Sequence, residues 1–242
     1  MISIIGMGTV GRSMFEVFPD ASIHDPAKGY EGPVGGTAFV CVPTPSKPDG
    51  SCDTSIVEKV IATQRADLFV IRSTVPPGTC RSLAEKYEKL IVFQPEYLGM
   101  TAGHRYRSDR DVPFVILGGT WGFRVADLYK TALPSETAYH LVSWEAAELV
   151  KYAVNTFLAT KVEFANELRE LGNSAGVDYD TLRELWLLDP RIGRSHSQAN
   201  GHGFDGACFP KDIAALVGFA ERAGVEVPVI RAAMTANVER QA

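Results

Sequence analysis

One cysteine lies in the part of the chain best suited to covalent chemistry. Cys208 is followed by phenylalanine, proline, lysine and aspartate, and the apolar spacing of a surface helix continues from there. Pro210 suits the first position of that helix, where its missing N–H costs nothing. The positive end of a helix and the nearby cation of Lys211 both favour a thiolate over a thiol. Because most buried cysteines are inert, this run alone leaves both a structural cysteine and a nucleophile open.

A lysine and an amide form a second candidate pair. Lys151 and Asn155 are spaced i,i+4 in a segment without helix breakers, from residue 144 to about 171, which Ser143 can cap. Both residues fall within the apolar region of this predicted helix. One interpretation is a snorkelling lysine beside an exposed amide. The other is a cation and an amide that stabilise a reacting oxygen.

The N-terminal residues have the pattern of a dinucleotide-binding turn. A strand over 2–5 leads into the glycine-rich segment 6–11, a short helix over 12–18 and a second strand that ends at Asp25. In such a turn the glycines allow a tight bend, close approach to a pyrophosphate and close helix packing, and the acid holds the adenine-ribose hydroxyls of NAD rather than NADP. A glycine turn in another kind of α/β unit is the alternative. The predicted NAD contacts in the turn are Gly6, Gly8, Thr9, Val10 and Gly11.

Polar side chains follow three further predicted strands. Two proline-rich turns occupy 42–45 and 73–79, and Glu96 comes directly after another strand. In open α/β sheets ligands bind beyond the carboxyl ends of the strands, so Thr44 and Thr74 are placed to offer hydroxyls to a cofactor or substrate. The alternative is that the prolines stiffen loops, the threonines cap helices and the glutamate is solvated.

The order of elements predicts an α/β protein of two domains. Short strands alternate with helices in the first half, and the second half is helical. This pattern predicts an N-terminal Rossmann-type, doubly wound, mostly parallel sheet over 1–142, followed by an all-α helical domain over 143–242 that carries the cysteine. Prolines and glycines between residues 25 and 38 predict an irregular loop in place of the second crossover helix.

The composition excludes several classes of protein. A net charge of -5 without a long basic block disfavours binding to nucleic acid or to an anionic membrane. No run approaches the roughly 18–20 apolar residues of a membrane span, and the start lacks a charged signal-peptide region. Four scattered cysteines form neither a metal-binding pair nor a disulfide framework, so we expect no metal and a cytoplasmic location.

These segments occur in the order typical of a known family. The chain resembles the nucleotide-sugar dehydrogenases, the UDP-glucose/GDP-mannose dehydrogenase family, over nearly its whole length, most specifically at 147–161, 189–193, 208–212 and 237–241. The resemblance implies NAD-dependent oxidation of the C6 alcohol of a nucleotide sugar to a carboxylate, as in UDP-glucose 6-dehydrogenase. It also implies two hydride transfers on either side of a covalent intermediate, and a homodimer formed through the helical domain.

The resemblance implies a role for individual residues. Cys208 would be the nucleophile of a thiohemiacetal that is oxidised to a thioester, and Lys151 and Asn155 would stabilise the oxyanion. Asp212, with Thr74 and a water, would move protons, and a glutamate would assist hydrolysis. The implied catalytic set is Cys208, Lys151, Asn155, Asp212, Thr74 and Glu96. The implied substrate contacts are Tyr97, Leu98, Lys151, Asn155, Gly203, Phe204 and Gly206. Further implied NAD contacts are Asp25, Val42, Pro43, Thr44, Ser73, Thr74 and Lys211.

The sequence also departs from the family pattern. Relatives carry a second acid at the place of Met100, a glycine at that of Asp205 and a serine at that of Ala207, and they have a longer segment in place of 26–37. They normally continue into a further α/β domain that holds the nucleotide, whereas this sequence resembles a short form without it. Two alternatives therefore stay open: a non-catalytic, NAD-binding interaction module, and a β-hydroxyacid dehydrogenase, which would leave the cysteine unused.

Overall fold

The computed structural model describes residues 1–99 and 104–242, so Met100 lies outside the described residues. The chain divides into two compact units. The first comprises Met1–Pro45 and Cys52–Lys151, and the second comprises Ser46–Ser51 and Tyr152–Ala242.

Eight strands of the described residues form one sheet in the first unit. In chain order they are β1 (Ile2–Ile5), β2 (Ser22–Asp25), β3 (Tyr30–Glu31), β4 (Thr37–Val40), β5 (Leu68–Ile71), β6 (Ile91–Phe93), β7 (Phe114–Gly118) and β8 (Ala138–Val142). The order across the sheet is β3-β2-β1-β4-β5-β6-β7-β8. The five adjacent strands β2, β1, β4, β5 and β6 are parallel to one another, and β7 is parallel to β8. Strand β3 is antiparallel to β2, and β7 is antiparallel to β6. The predicted mostly parallel sheet is thus confirmed.

Helices cover both faces of this sheet. They are α1 (Thr9–Val17), α2 (Ser55–Thr63), α3 (Thr79–Tyr87) and α4 (Gly122–Tyr129). Successive strand residues point to opposite faces, so Phe39 packs in one apolar core with residues of α1 and α4, while Val40 packs in another with residues of α2 and α3. Two cores on opposite faces of one sheet are the doubly wound arrangement that the alternating elements predict.

The second unit is helical, as predicted. Its helices are the part of α5 (Trp144–Ser174) from Tyr152 onward, α6 (Tyr179–Trp186), α7 (Phe209–Ala223) and α8 (Pro228–Gln241). Ser143 caps α5, since its hydroxyl accepts a hydrogen bond from the amide of Ala146 at 3.2 Å. The buried core of this unit combines residues of α5, α7, α8 and the loop before α7: Ala159, Val162, Phe204, Ile213 and Ala233. Within the described residues, no helix is both long and apolar enough to cross a membrane.

Two sheet-edge strands escape the sequence analysis. The segment predicted as an irregular loop after Asp25 contains a 3-10 turn over Pro26–Lys28 and the two-residue strand β3. Strand β8, at the other edge, is mostly exposed and therefore lacks the alternation that marks a half-buried strand. Both strands are defined by backbone pairing to a neighbour, which side-chain patterning does not encode.

A buried ion pair joins three segments of the first unit. Arg72, which follows β5, is 2% exposed, and its Nη2 donates to Asp109 Oδ1 at 2.7 Å. The second carboxylate oxygen of Asp109 accepts from the Ser13 hydroxyl of α1 at 2.6 Å. Burial of two charges is tolerated only when each is paired and hydrogen-bonded. The pair therefore ties the segment around Asp109 to α1 and to the end of β5.

We predict that Asp109→Ala lowers the free energy of unfolding by about 3–5 kcal/mol, because it leaves the Arg72 guanidinium buried without its carboxylate. Asp127→Ala is the control, since the Asp127–Lys130 pair is exposed on both sides. That variant should lose less than about 1 kcal/mol. Urea unfolding followed by circular dichroism measures both, and an equal loss in the two variants would contradict the prediction.

Candidate functional site

The glycine-rich turn has the geometry that a dinucleotide requires. Gly6 has φ +93°, and a Cβ there would lie 2.7 Å from the carbonyl oxygen of Cys41. A Cβ on Gly11 would lie 1.9 Å from the carbonyl oxygen of Gly6. At Gly8, in contrast, a Cβ would have no other described atom within 4 Å. Gly6 and Gly11 are therefore required by packing, while the lack of a side chain at Gly8 leaves open space before the N-terminus of α1.

Asp25 lies at the end of β2, beside this turn. Its Oδ2 accepts a hydrogen bond from the amide of Met7 at 2.8 Å, which fixes the carboxylate next to the glycines. Lys28 was not identified from the sequence, yet its Nζ donates to the Met7 carbonyl at 2.8 Å and lies 3.9 Å from Asp25 Oδ2. No sequence motif identifies a lysine three residues after the acid, in a turn, as a candidate site residue. Lys28 places a cation at the edge where a ribose would bind.

The predicted proline-rich turns meet beyond β4 and β5. The Ser73 hydroxyl donates to the carbonyl of Val42 at 2.7 Å and so joins the two turns. Thr44 is buried, Pro43 is exposed and Thr74 is half-buried. Since β4 and β5 are adjacent parallel strands, these residues share one edge of the sheet with the glycine turn after β1, as the sequence predicts.

A glutamate that the sequence analysis did not single out holds the start of α3. Glu148 of α5 is 0% exposed, and its two carboxylate oxygens accept from the amides of Gly78 at 2.6 Å and Cys80 at 2.8 Å. Burial raises the pKa of Glu148, and these amide hydrogen bonds oppose the rise. The Thr79 hydroxyl donates to the carbonyl of Pro76 instead of capping the helix. The N-terminus of α3 is thus capped from another helix, a contact that local sequence cannot reveal.

Lys151 and Glu96 form a buried pair in the first unit. Lys151 Nζ donates to the Glu96 carbonyl at 2.6 Å and lies 3.2 Å from Glu96 Oε2, with 7% and 12% of the two side chains exposed. The amide of Leu98 donates to Glu96 Oε1. The ring of Tyr97 lies 5.9 Å from Lys151 Nζ, and burial, with the charge of Glu96, raises the Tyr97 pKa to about 12. The alternatives of a snorkelling lysine and a solvated glutamate are therefore wrong.

Cys208 lies at the N-terminus of α7 in the second unit, as the sequence predicts. It is the N-cap residue of this helix and is exposed. One local prediction is wrong, because α7 begins at Phe209 and Pro210 is its second residue. The Phe209 ring, on this first helical residue, lies 6.3 Å from that of Phe204 in an edge-on contact. Pro210 still lacks only an N–H that a first helical turn leaves unpaired.

Asn155 and Asp212 are joined in the same unit. Asn155 Nδ2 donates to Asp212 Oδ2 at 2.6 Å, and Lys211 Nζ donates to Asp212 Oδ1 at 2.5 Å. Asn155 is 6% and Asp212 1% exposed, so the interpretation of Asn155 as an exposed amide is wrong. Asp212 lies in the first turn of α7, where the helix dipole stabilises its charge. The Asn155 amide and the Asp212 carboxylate thus fix each other in position, and Asp212 follows Cys208 by four residues.

The other cysteines differ from Cys208 in environment. All four lie among the described residues, no disulfide joins them, and Cys41, Cys52 and Cys80 are buried. Burial raises the pKa of the Cys41 thiol to about 12 and holds that of Cys80 well above its ordinary value. A buried neutral thiol is a poor nucleophile. Cys208 is therefore the cysteine of this chain that is placed to react.

The segment before the cysteine is anchored at one end and exposed at the other. Gly203 and Phe204 are buried, whereas Asp205, Gly206 and Ala207, like Cys208, are exposed. Gly206 has φ +80°, a left-handed conformation suited to glycine. The structure therefore presents the side chains of Asp205 and Ala207, like that of Cys208, to solvent.

The predicted residues form two sets, one in each unit. The first unit contains the glycine turn, Asp25, the turns at 42–44 and 73–74, and the Glu96–Lys151 pair. The second unit contains Asn155, Gly203, Phe204, Gly206, Cys208, Lys211 and Asp212. Each set contains side chains joined directly to one another, Lys151 with Glu96 in the first and Asn155 with Asp212 in the second. The first set has the features of a dinucleotide site, and the second those of a nucleophile beside an amide and a carboxylate.

Two parts of the sequence match the profile of one family. Residues 35–101 match the UDP-glucose/GDP-mannose dehydrogenase family, NAD binding domain, and residues 145–239 match the central domain of the same family. The first match begins after the glycine turn, so the assignment of that turn rests on its geometry.

Curated and solved relatives agree with these matches. A UDP-glucose 6-dehydrogenase of Pseudomonas aeruginosa is 34% identical over 224 residues, which cover 84% of this chain and 48% of the relative. UDP-glucose 6-dehydrogenase TuaD of Bacillus subtilis is 31% identical, with 84% and 46% covered. A solved UDP-glucose dehydrogenase from Pyrobaculum islandicum aligns with a TM-score of 0.79 at 27% identity over 98% of this chain and 68% of that chain. The chain spans about half the length of the curated relatives it matches.

Proposed function

Because the chain belongs to the UDP-glucose/GDP-mannose dehydrogenase family, we propose that it is an NAD-dependent dehydrogenase that oxidises the C6 alcohol of a UDP-glucose-like nucleotide sugar to a carboxylate. The observation that carries this proposal is the exposed Cys208 at the start of α7, in one unit with the buried Asn155–Asp212 pair. A β-hydroxyacid dehydrogenase would have no use for this cysteine.

The residues of the glycine turn fit NAD. Gly8 leaves space for a pyrophosphate at the N-terminus of α1, whose first turn carries no acidic residue. The Asp25 carboxylate, held by the Met7 amide, suits the adenine-ribose hydroxyls. Thr44, Ser73 and the rest of the rim beyond β4 and β5 would contact the remainder of the cofactor. When bound, NAD accepts one hydride in each of the two oxidation steps.

Cys208 supplies the covalent step. The first oxidation turns the alcohol into an aldehyde, and the thiolate adds to its carbonyl carbon to form a C–S bond and a thiohemiacetal. The second oxidation removes the remaining hydride from that carbon and gives a thioester. Water then attacks the thioester, the C–S bond breaks, and the carboxylate and the thiolate are released. One alcohol, one water and two NAD molecules thus give one carboxylate, two NADH molecules and three protons.

The paired polar residues would support these steps. Lys151 and Asn155 would donate hydrogen bonds to the oxyanion that forms at the carbonyl carbon. Asp212, with Thr74 and a water, would take the alcohol proton, and Glu96 would assist the attacking water. Lys211, which contacts Asp212 Oδ1, would lie on the cofactor side. Tyr97, Leu98, Gly203, Phe204 and Gly206 would contact the sugar.

We propose a reducing cytoplasm as the site of this reaction, because an exposed thiol such as that of Cys208 persists there in its reduced form. We also propose that the protein is a homodimer. Phe157, Phe164 and Leu171 recur every seven residues on α5 and are 67%, 50% and 64% exposed. Such spacing aligns them on one side of the helix, and an exposed apolar stripe of this kind favours association.

The purified chain is expected to form NADH with UDP-glucose or another member of a nucleotide-sugar panel, and Cys208→Ser should lower that rate roughly 10³-fold or more because the thioester cannot form. Absorbance at the NADH band measures turnover. The control is that Cys208→Ser keeps its heat stabilisation by NAD. NAD stabilisation without any turnover in the wild type would favour the non-catalytic module instead.

Gly8→Ala is expected to abolish most of the stabilisation by NAD while changing the free energy of unfolding of the unliganded protein by no more than about 1 kcal/mol. The added Cβ enters space that only a ligand would fill. At a concentration of 100 Kd, NAD stabilises the wild type by about 2.7 kcal/mol. Gly6→Ala is the contrasting variant, because its Cβ clashes with protein and destabilises the unliganded chain. Full NAD stabilisation of Gly8→Ala would count against the assignment.

Light scattering is expected to give twice the chain mass of 26.3 kDa. Phe157→Glu should convert the dimer to a monomer, because it places a charge in the apolar stripe. Phe123→Glu is the matched control, since this aromatic residue is 47% exposed in the first unit, away from the stripe. A monomeric wild type, or a dimer unaffected by Phe157→Glu, would refute this interface.

A further inference from the structure

Two side chains near the end of α8 form hydrogen bonds with the segment that leads to Cys208. The amide of Phe204 donates to Asn237 Oδ1 at 2.6 Å, and the carbonyl of Phe204 accepts from Gln241 Nε2 at 2.9 Å. Both backbone groups of one loop residue are therefore bonded to side chains of one helix. Two side chains here do what a neighbouring strand does in a sheet, because they fix the peptide units on both sides of one residue.

The two side chains Asn237 and Gln241, called the clamp below, are themselves held in place. Asn237 and Gln241 are spaced i,i+4 on α8 and so lie on one face, together with Arg240. Arg240 Nε donates to Glu163 Oε2 of α5 at 2.7 Å, and Glu163 is 2% exposed. Asn237 is 4% exposed, so its amide must find partners inside the unit. The face of α8 that carries the clamp is thus fixed against α5 by a buried ion pair.

Gly203, which precedes Phe204, packs closely against the clamp. Gly203 has φ +76°, and a Cβ there would lie 2.1 Å from Asn237 Oδ1 and 2.6 Å from Glu163 Oε1. The Gly203 carbonyl accepts from Asn200 Nδ2 at 2.8 Å. The chain at 203 therefore approaches α8 and α5 as closely as the absence of a side chain permits. This close approach lets the Asn237 side chain reach the next amide.

The segment that ends at Cys208 is held at one end by the clamp and at the other by α7. Phe204 is anchored through its backbone by α8 and through its ring in the apolar core, where it meets Phe209 of α7. The four residues from Asp205 to Cys208 between these anchors are exposed. We propose that Asn237 and Gln241 are positioning residues that clamp the Phe204 backbone and so fix the Cys208 thiol for reaction. This inference rests on the proposed role of Cys208 as a nucleophile.

Three variants test the clamp. Asn237→Ala removes the acceptor, Gln241→Met removes the donor at an exposed site, and Glu239→Gln, an exposed change on the same helix, leaves both bonds in place. Amide hydrogen exchange, followed by mass spectrometry, should accelerate about tenfold or more at residues 203–208 in the first two variants and remain near wild type in the third. Unchanged exchange in both Asn237→Ala and Gln241→Met overturns the proposal.

The link to reaction needs a second readout. In Asn237→Ala and Gln241→Met, kcat should fall about 10–100-fold while KM for NAD stays constant, because the thiol is displaced and the cofactor turn is untouched. Val238→Ala, an exposed change on the same helix, is the control and should leave both constants unchanged. Accelerated exchange with a wild-type kcat overturns the positioning role. If the wild type forms no NADH, the proposed function fails, and the rate of Cys208 alkylation by iodoacetamide replaces kcat: an unchanged rate overturns the clamp.

Discussion

The structure depends on one constraint, which is that α5 buries polar side chains and each must find a partner. Unpaired polar groups in an apolar interior cost several kcal/mol, and unpaired charges cost more. Glu148 therefore caps α3, Lys151 binds Glu96, Asn155 binds Asp212 and Glu163 binds Arg240. Each pairing has a different partner element, so the part of α5 in each unit specifies where loops or helices of that same unit must lie.

The same pairings hold the proposed catalytic groups in fixed positions. The carboxylate of Asp212 has a donor on each oxygen before any substrate arrives. Lys151 is fixed by both the carbonyl and the carboxylate of Glu96. Groups that are already oriented lose little further freedom in a reaction, and electrostatic stabilisation by oriented groups is usually the largest contribution to catalysis. The hydrogen bonds that allow these polar groups of α5 to be buried are therefore the same ones that would orient them for the proposed reaction.

Much of the fold and of the site could be predicted, for identifiable reasons. The glycine turn was predicted because the backbone geometry at Gly6 and Gly11 excludes a side chain. The start of α7 was predicted to within one residue, and the position of Cys208 at that start was correct. Lys28, Glu148 and the α8 clamp were missed, because they bond to backbone atoms that lie 21 to 70 residues away in the sequence.

The sequence by itself determined the order of most strands and helices, the glycine turn and the choice of Cys208 as the candidate nucleophile, because these depend on local spacing and on backbone geometry that only certain residues allow. Tertiary structure decided how the polar residues within the apolar region of α5 are buried. The sequence left open whether Lys151 and Asn155 reach solvent there, and the structure buries both. The physical reason is that a polar residue can be buried when a partner from a distant segment compensates its desolvation. That compensation exists only in the folded chain.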